Sequence, residues 1–338
     1  MTSSNRLRPC KYAARLNSFK TIKGDGDGTN SNLQGVLGLL SRAAQVPGLN
    51  AVDINYPDHL DGVKPTELKS HLQDLGLAVN GFAMRYYSDP GFRIGAFTNP
   101  DAKLRRLAID QTKRGIDQML DTGGSLMTLW MGQDGFDYSF QADYARLWDQ
   151  TLAAISEVAD HVPSCEVSIE YKPNEPRSFA LMPDIGTTLL AIHEMGRKNI
   201  GVTIDFAHVL YADEMPAHAV ALAARRSKLF GVHLNDGYAK RDDGLMVGTV
   251  HPVQTMELLY VLEEINYDRP IYFDTFPDTT GLDPVAECAA NIATVEAMRH
   301  VVRQLRADNR LRKAIAEQDA VTGNSIIRAA LYGDRNKD

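Results

Sequence analysis

The chain reads as an α/β protein folded into a (β/α)8 barrel, and three observations carry that reading. Eight short apolar or alternating runs recur along its 338 residues. Segments with apolar residues at three- and four-residue spacing lie between them, the mark of amphipathic helices. No glycine-rich phosphate turn follows the first run, as a doubly wound open sheet would usually show. Length alone permits two domains, but barrels of this type run past about 250 residues as one unit.

The first strand is "YAARLNSF" from Tyr12. The segment behind it, "KTIKGDGDGTNSN", has neither dinucleotide-turn nor P-loop spacing. Its Asp-Gly repeats lack the bidentate glutamate of a calcium loop, so it reads as a surface loop. The second and third strands are "NAVDINYP" from Asn50 and "LAVNGFAMRY" from Leu77. The amphipathic "DAKLRRLAIDQTKRGIDQML" leads to the fourth, "SLMTLWMG" from Ser125, and "YARLWDQTLAAISEVAD" to the fifth, "EVSIEYKP" from Glu166. The sixth to eighth are "IGVTIDFAH" from Ile200, "KLFGVHLND" from Lys228 and "PIYFDTFP" from Pro270. From Arg303 the sequence is charged, Ala-rich and helical in pattern, which divides the chain into a barrel over 1–302 and a helical extension over 303–338. That extension is either a solvated helix or an arm that packs on a neighbouring subunit.

Composition narrows the partners. Hydrophobic residues make up 44% and charged residues 23%, enough for a sizeable core, and the net charge of −7 has the wrong sign for a protein that lives on phosphate backbones. Cys10, Cys165 and Cys288 are far apart and outside CxxC spacing, so neither a disulfide framework nor a zinc ribbon is expected. No apolar run reaches about 18 residues, and the N-terminus lacks the apolar core of a signal peptide. The expectation is a soluble cytoplasmic protein with no membrane or nucleic-acid partner.

In such a barrel the C-terminal ends of the strands converge on one mouth. Strand five ends in Glu170 and Lys172, strand six in Asp205 and His208, strand seven in His233, Asn235 and Asp236, and strand eight in Asp274. Taken singly, Asp205 reads as a helix cap, His233 as a core histidine and Asp274 as a turn residue. Taken together, Glu170, Asp205, His233 and Asp274 form an oxygen-rich set suited to Mn²⁺, Mg²⁺ or Co²⁺, without which three carboxylates at one mouth would repel. His208 and Asp242 of the "KRDDG" loop complete a second set that shares Asp205, so one or two ions are expected. Lys172, two residues past Glu170, points to the same face and can hold a substrate oxygen. Tyr171 should point the other way. Pro173 and Pro176 restrict the backbone just behind them.

With these residues in view, the sequence resembles the xylose isomerase superfamily. "IEYKPNEPRSFALMP" is similar to the fifth-strand signature in which the glutamate is a metal ligand and the lysine contacts the sugar's carbonyl oxygen. "LWMGQDGFDY" resembles the tryptophan turn after the fourth strand and implies Trp130 as an apolar wall against the sugar. "FRIGAFTNPDAKLRRLAI" resembles the segment whose phenylalanine reaches into a partner's site, which implies Phe97 as an inter-subunit contact and a homodimer or homotetramer. "DFAH", "KLFGVHLND" and "YFDTFP" match the sixth to eighth strand ends.

Three departures stand out. Asp205 and His233 resemble the L-rhamnose isomerase branch rather than xylose isomerases proper. The loop pair is "DDG" rather than Asp-x-Asp, so Asp242 alone aligns well. Asn55 stands at the place of the ring-opening histidine, with His59 four residues on as a loop histidine or a substitute.

The resemblance implies metal-dependent aldose–ketose isomerisation by hydride shift, with Lys172, His208 and Asp242 catalytic and Mn²⁺ the expected ion. Trp130, Lys172, Asn55 and Phe97 are the expected substrate-binding residues. A ketose 3-epimerase is the nearest alternative, but it carries a glutamate at the eighth strand. Other sugar or polyol chemistry, C-glycoside cleavage included, and a non-catalytic sugar-binding protein complete the alternatives.

Overall fold

The structure, a computed structural model, describes residues 11–20 and 35–333. Cys10, the Asp-Gly loop beyond Lys20 and the last five positions of the extension lie outside the described residues. The first half runs β1 (Tyr12–Arg15), α1 (Gly35–Ala43), β2 (Ala51–Tyr56), α2 (Pro65–Leu75), β3 (Ala78–Met84), α3 (Ala102–Thr122), β4 (Leu126–Leu129), β5 (Gly135–Phe136) and α4 (Tyr144–His161). The second half runs β6 (Glu166–Glu170), β7 (Phe179–Ala180), α5 (Ile185–Met195), β8 (Ile200–Asp205), α6 (Phe206–Tyr211), α7 (Pro216–Arg226), β9 (Leu229–Leu234), α8 (Pro252–Glu264), β10 (Ile271–Phe273), α9 (Pro277–Thr280) and α10 (Pro284–Ala307). Two more helices close the chain, α11 (Asn309–Glu317) and α12 (Ala320–Tyr332).

Eight parallel strands close into the expected barrel in the order β1-β10-β9-β8-β6-β4-β3-β2. The two-residue strands β5 and β7 pair antiparallel outside it, after the fourth and fifth barrel strands. Side-chain alternation along each barrel strand builds two interiors. In β6, Val167 and Ile169 join the large apolar core against the helices, while the Ser168 hydroxyl lies 2.6 Å from that of Thr203 of β8. In β2, Ile54 and Tyr56 belong to the same core, whereas Asp53 accepts a hydrogen bond from Asn80 at 2.7 Å. The core therefore sits between barrel and helices, and the middle and upper barrel is lined by polar side chains.

The helices are punctuated as local chemistry requires. Asp101, Asp143, Asp184 and Asp283 cap α3, α4, α5 and α10 through side-chain bonds to first-turn N–H groups. At Gly115 of α3 a Cβ would lie 2.8 Å from the Tyr56 ring, so glycine sets how closely that helix approaches β2.

Helix α10 runs through 302/303, and α11 and α12 follow it. Helix α11 buries Leu311 and Ala314, and Ile327 and Leu331 of α12 pack against the core. No described helix is long and apolar enough to cross a membrane.

Candidate metal centre

Glu170 and Asp205 are the last residues of β6 and β8, His233 is the penultimate residue of β9, and Asp274 follows β10 directly. Parallel register aligns them: Asp205 pairs with His233, and Leu234 with Phe273. One ligand atom from each of the four falls within 4.8 Å of all the others. His233 Nδ1 lies 3.3 Å from Glu170 Oε1, 3.8 Å from Asp274 Oδ2 and 3.9 Å from Asp205 Oδ2.

Asn235 braces the cluster. Its Nδ2 donates to both Asp205 carboxylate oxygens, at 3.2 and 3.1 Å, and to the Asp274 carbonyl at 3.1 Å. Its Oδ1 accepts from Ala207 N at 2.9 Å. Asp205 also caps α6 by accepting from His208 N at 3.0 Å, so the helix-cap role and the cluster role coexist. Asp236 turns away and holds the loop after β9 through Val250 N, His251 N and the His251 ring.

The donor set fits a divalent cation. Three carboxylates and an imidazole crowd together, while His233 Nδ1 and Asp274 Oδ1 are buried without a hydrogen-bond partner. Burial alone would drive both His208 and His233 towards the neutral form, but the surrounding carboxylates override it and lift each to about 9. Burial likewise would raise Glu170, yet His233 and His208 pull it down to about 2. Asp205 goes the other way, lifted to about 7 by burial and by its carboxylate neighbours against the pull of His208.

For metal-free protein the two raised imidazoles set the trend above neutrality. The stability that the imidazoles contribute is fully present below their ordinary value of 6.5 and is lost as pH rises through about 9. Asp205 adds to the fall over its own window, from 3.8 to about 7. The melting temperature of chelator-treated protein is expected to drop between about pH 6.5 and 9 in a thermal-shift series. A flat or rising profile would contradict the assignment.

Lys172 reaches the same cavity as Glu170. Its Nζ sits 2.9 Å from Glu175 Oε2 and 3.1 Å from Asp242 Oδ2, and 5.4 Å from the centroid of the Trp130 ring. Burial would discharge it, but Asp242 and Glu175 raise its affinity for the proton. Tyr171 points away and donates to Glu214 at 2.8 Å.

His208 Nε2 is 3.1 Å from Asp242 Oδ2 and 4.0 Å from Asp205 Oδ1, while its Nδ1 lies 3.1 Å from the Tyr171 carbonyl. The second expected set is thus a chain, Lys172 and His208 meeting on one Asp242 oxygen. Asp243 instead serves its own loop, accepting from Tyr238 N and Arg241 Nε at 2.8 Å each.

A cavity of about 410 Å³ opens over these groups, with Trp130 and Lys172 in its wall. Three sequence readings change here. Phe97 is wholly buried in its own chain, its ring 5.3 Å from that of Tyr86, so it does not project towards a partner. Asn55 is 2% exposed, its Nδ2 has no partner, and it does not line the cavity.

His59 is a buried residue rather than an open loop histidine. Its Nδ1 accepts from Asn55 N at 3.0 Å, and its Nε2 faces Asn17 Oδ1 at 2.8 Å. Burial first, then Arg85, Lys20 and Arg15, push its pKa down to about 3, so it stays neutral.

The cavity also contains residues that the sequence reading passed over, among them Arg15, Arg85, Tyr87, Gln133, Glu175 and Phe276. Arg15 and Arg85 stand at the ends of the first and third barrel strands. The strand-end rule that found the ligands would have found both.

Comparison with known proteins agrees with this geometry. The family described as "Xylose isomerase-like TIM barrel" matches residues 40–303. A xylose isomerase of Thermus thermophilus is 31% identical over 61% of this chain and 55% of its own length. Its counterpart in Thermus caldophilus is 28% identical over 67% of this chain and 62% of its own length. The chain thus spans somewhat over half the length of these curated relatives. Among solved structures, an L-ribulose 3-epimerase superposes with a TM-score of 0.67 at 17% identity, covering 87% of this chain and 96% of that one. Because the family match runs from α1 through the eighth barrel strand into α10, the chain belongs to the xylose isomerase-like TIM barrel family.

Proposed function

We propose that the protein interconverts an aldose and a ketose by a hydride shift that depends on a divalent cation, Mn²⁺ by preference and Mg²⁺ or Co²⁺ as substitutes. The observation that carries this reading is Lys172, a charged donor held in the cavity beside the four-residue cluster. Glu170, Asp205, His233 and Asp274 would hold the ion, which when bound supplies Lewis-acid polarisation of the substrate carbonyl.

In this scheme hydride passes from C2 to C1 while the proton on O2 is transferred to O1. Lys172 stabilises the charge that develops on the carbonyl oxygen. Asp242 takes the O2 proton and returns it to O1: it lines the cavity, and its Oδ2 is oriented there by His208 and Lys172. Trp130 walls the apolar side of the cavity.

A second reading, epimerisation at C3 of a ketose, is favoured by the presence of Glu170 and Asp274 in one cluster, two carboxylates able to serve two faces of one carbon. The relatives named xylose isomerase accord with the first reading, and the solved neighbour named L-ribulose 3-epimerase with the second.

A panel of tetroses to hexoses incubated with Mn²⁺ in D₂O separates them. Aldose-to-ketose conversion with little deuterium at the migrating carbon is the expected result, because a hydride shift does not exchange with solvent. Full deuterium incorporation would favour proton transfer. Absence of any conversion across the panel would sink both readings.

A further inference from the structure

Among the described residues, three lysine or arginine side chains line the cavity, and two of them are already paired with carboxylates. Arg15 Nη1 is 2.8 Å from Asp278, with Nε 3.6 Å from Asp274, and Lys172 bridges Glu175 and Asp242. Arg85 differs. It follows β3, where Phe82 and Met84 are fully buried against the helices, so alternation turns Arg85 inward with Gly81 and Ala83.

Its backbone N–H is fixed to the Tyr56 carbonyl at 2.9 Å, and its side chain lines the cavity. Yet Nε is buried without a hydrogen-bond partner, and among the described residues no carboxylate pairs with the guanidinium. Its Cζ lies 5.9 Å from the centroid of the Tyr87 ring, and its charge helps to hold the Glu170 carboxylate ionised without forming an ion pair with it.

A guanidinium cannot shed its proton at working pH, and a partly buried one without an acceptor is costly to keep. Nε is sealed from the cavity, so an acceptor on a ligand would reach this guanidinium through its terminal nitrogens at the cavity wall. The cavity is polarised as well, with Glu170, Asp242 and Asp274 on the ion-binding side and Arg85 on the wall of β3. The neutral state of His59, lowered by burial and then by Arg85, agrees with an electropositive wall there.

We propose that the substrate is a sugar acid whose carboxylate docks on Arg85 while its carbonyl and hydroxyl end faces the four-residue cluster. This rests on the sugar-isomerase reading and narrows it. A neutral sugar would satisfy the N–H donors but leave the charge without a directly paired anion, whereas a carboxylate matches the planar fork in both respects. A phosphate is the poorer fit, since phosphate sites gather several free cations or a run of backbone N–H groups. Among the described residues lining the cavity, Arg85 is the one lysine or arginine without a paired carboxylate, and no glycine-rich phosphate turn follows the first strand.

The test uses the Mn²⁺-loaded full chain with aldohexoses, their uronates and the corresponding uronamides, which are neutral and nearly isosteric. Wild-type kcat/KM is expected to favour a uronate over its amide by about tenfold or more, and Arg85→Gln to shrink that ratio by about 10- to 100-fold. Arg85→Lys, which keeps the charge but not the fork, is expected to fall between. Preference for the amide or the hexose in the wild type overturns the inference without need of any variant, as does a ratio that Arg85→Gln leaves unchanged.

Calorimetric titration of uronate and uronamide into the same proteins needs no turnover and separates the two claims. Charge-selective binding that disappears in Arg85→Gln supports the anion site even where no sugar is isomerised, an outcome that removes the isomerase reading alone. Turnover of neutral hexoses without charge selectivity keeps that reading and removes the anion site.

Discussion

Glu170→Gln is expected to strip the protein of its divalent ion and to lower aldose–ketose turnover by at least about a thousandfold, the scale of losing several kcal/mol of charge stabilisation in the transition state. The substitution preserves shape and removes one charge, so the effect is electrostatic. Glu170 lies nearer His233 than either other carboxylate does, at 3.3 Å against 3.8 and 3.9 Å, and a neutral amide there loses both the ion and the imidazole. Metal content measured after gel filtration should fall below stoichiometric, and added Mn²⁺ should restore activity only in part and at high concentration.

The same variant probes the metal-free state. Burial opposes charge on Glu170, but His233 and His208 hold the carboxylate ionised, so removing it leaves two buried imidazoles short of an anion. Chelator-treated Glu170→Gln should therefore melt below chelator-treated wild type, and the ion should stabilise it less. A variant that turns over sugar at the wild-type rate without bound metal would end the proposed mechanism.

The barrel and the four-residue cluster were legible in the sequence because both depend on period-two strands that all run in one direction. Glu170, Asp205, His233 and Asp274 sit at equivalent heights simply by ending their strands, a property of order along the chain. Phe97, Asn55 and His59 depend on something else, the packing of one segment against another. Phe97 packs edge-on against Tyr86, and His59, tied locally to Asn55 N, is buried against Asn17 of the first strand's turn, a contact that no local pattern encodes.

Arg15 and Arg85 obeyed the strand-end rule and were still missed. A metal-ligand pattern consists of acids and histidines, so an arginine at a strand end carries no signal in the sequence until its neighbours in the fold are known. Position 302/303 lies inside α10, which continues past its first residue without a proline or glycine until Asp308 caps α11.

Lys172→Met is expected to lower kcat by about 100- to 1,000-fold while KM and metal content change little, since a donor aimed at developing charge acts mainly in the transition state. The methionine keeps the apolar stem against Trp130 and removes only the ammonium. Loss of that cation has a second consequence. Burial would raise the Asp242 pKa, but His208 and Lys172 hold it well below the usual carboxylate range. With Lys172 gone, Asp242 binds a proton more readily, and the form able to accept the O2 proton is lost at a higher pH.

The acid limb of the pH–rate profile should therefore move upward in Lys172→Met, a shift that loss of substrate affinity alone cannot produce. Lys172→Arg tests the same point from the other side. It restores the charge beside Asp242 but brings a planar group to a place shaped for an ammonium between Asp242 and Glu175. The acid limb should then return towards the wild-type position while kcat stays low. If kcat and the acid limb recovered together, Lys172 would act only by tuning Asp242, and its direct role at the substrate oxygen would fall.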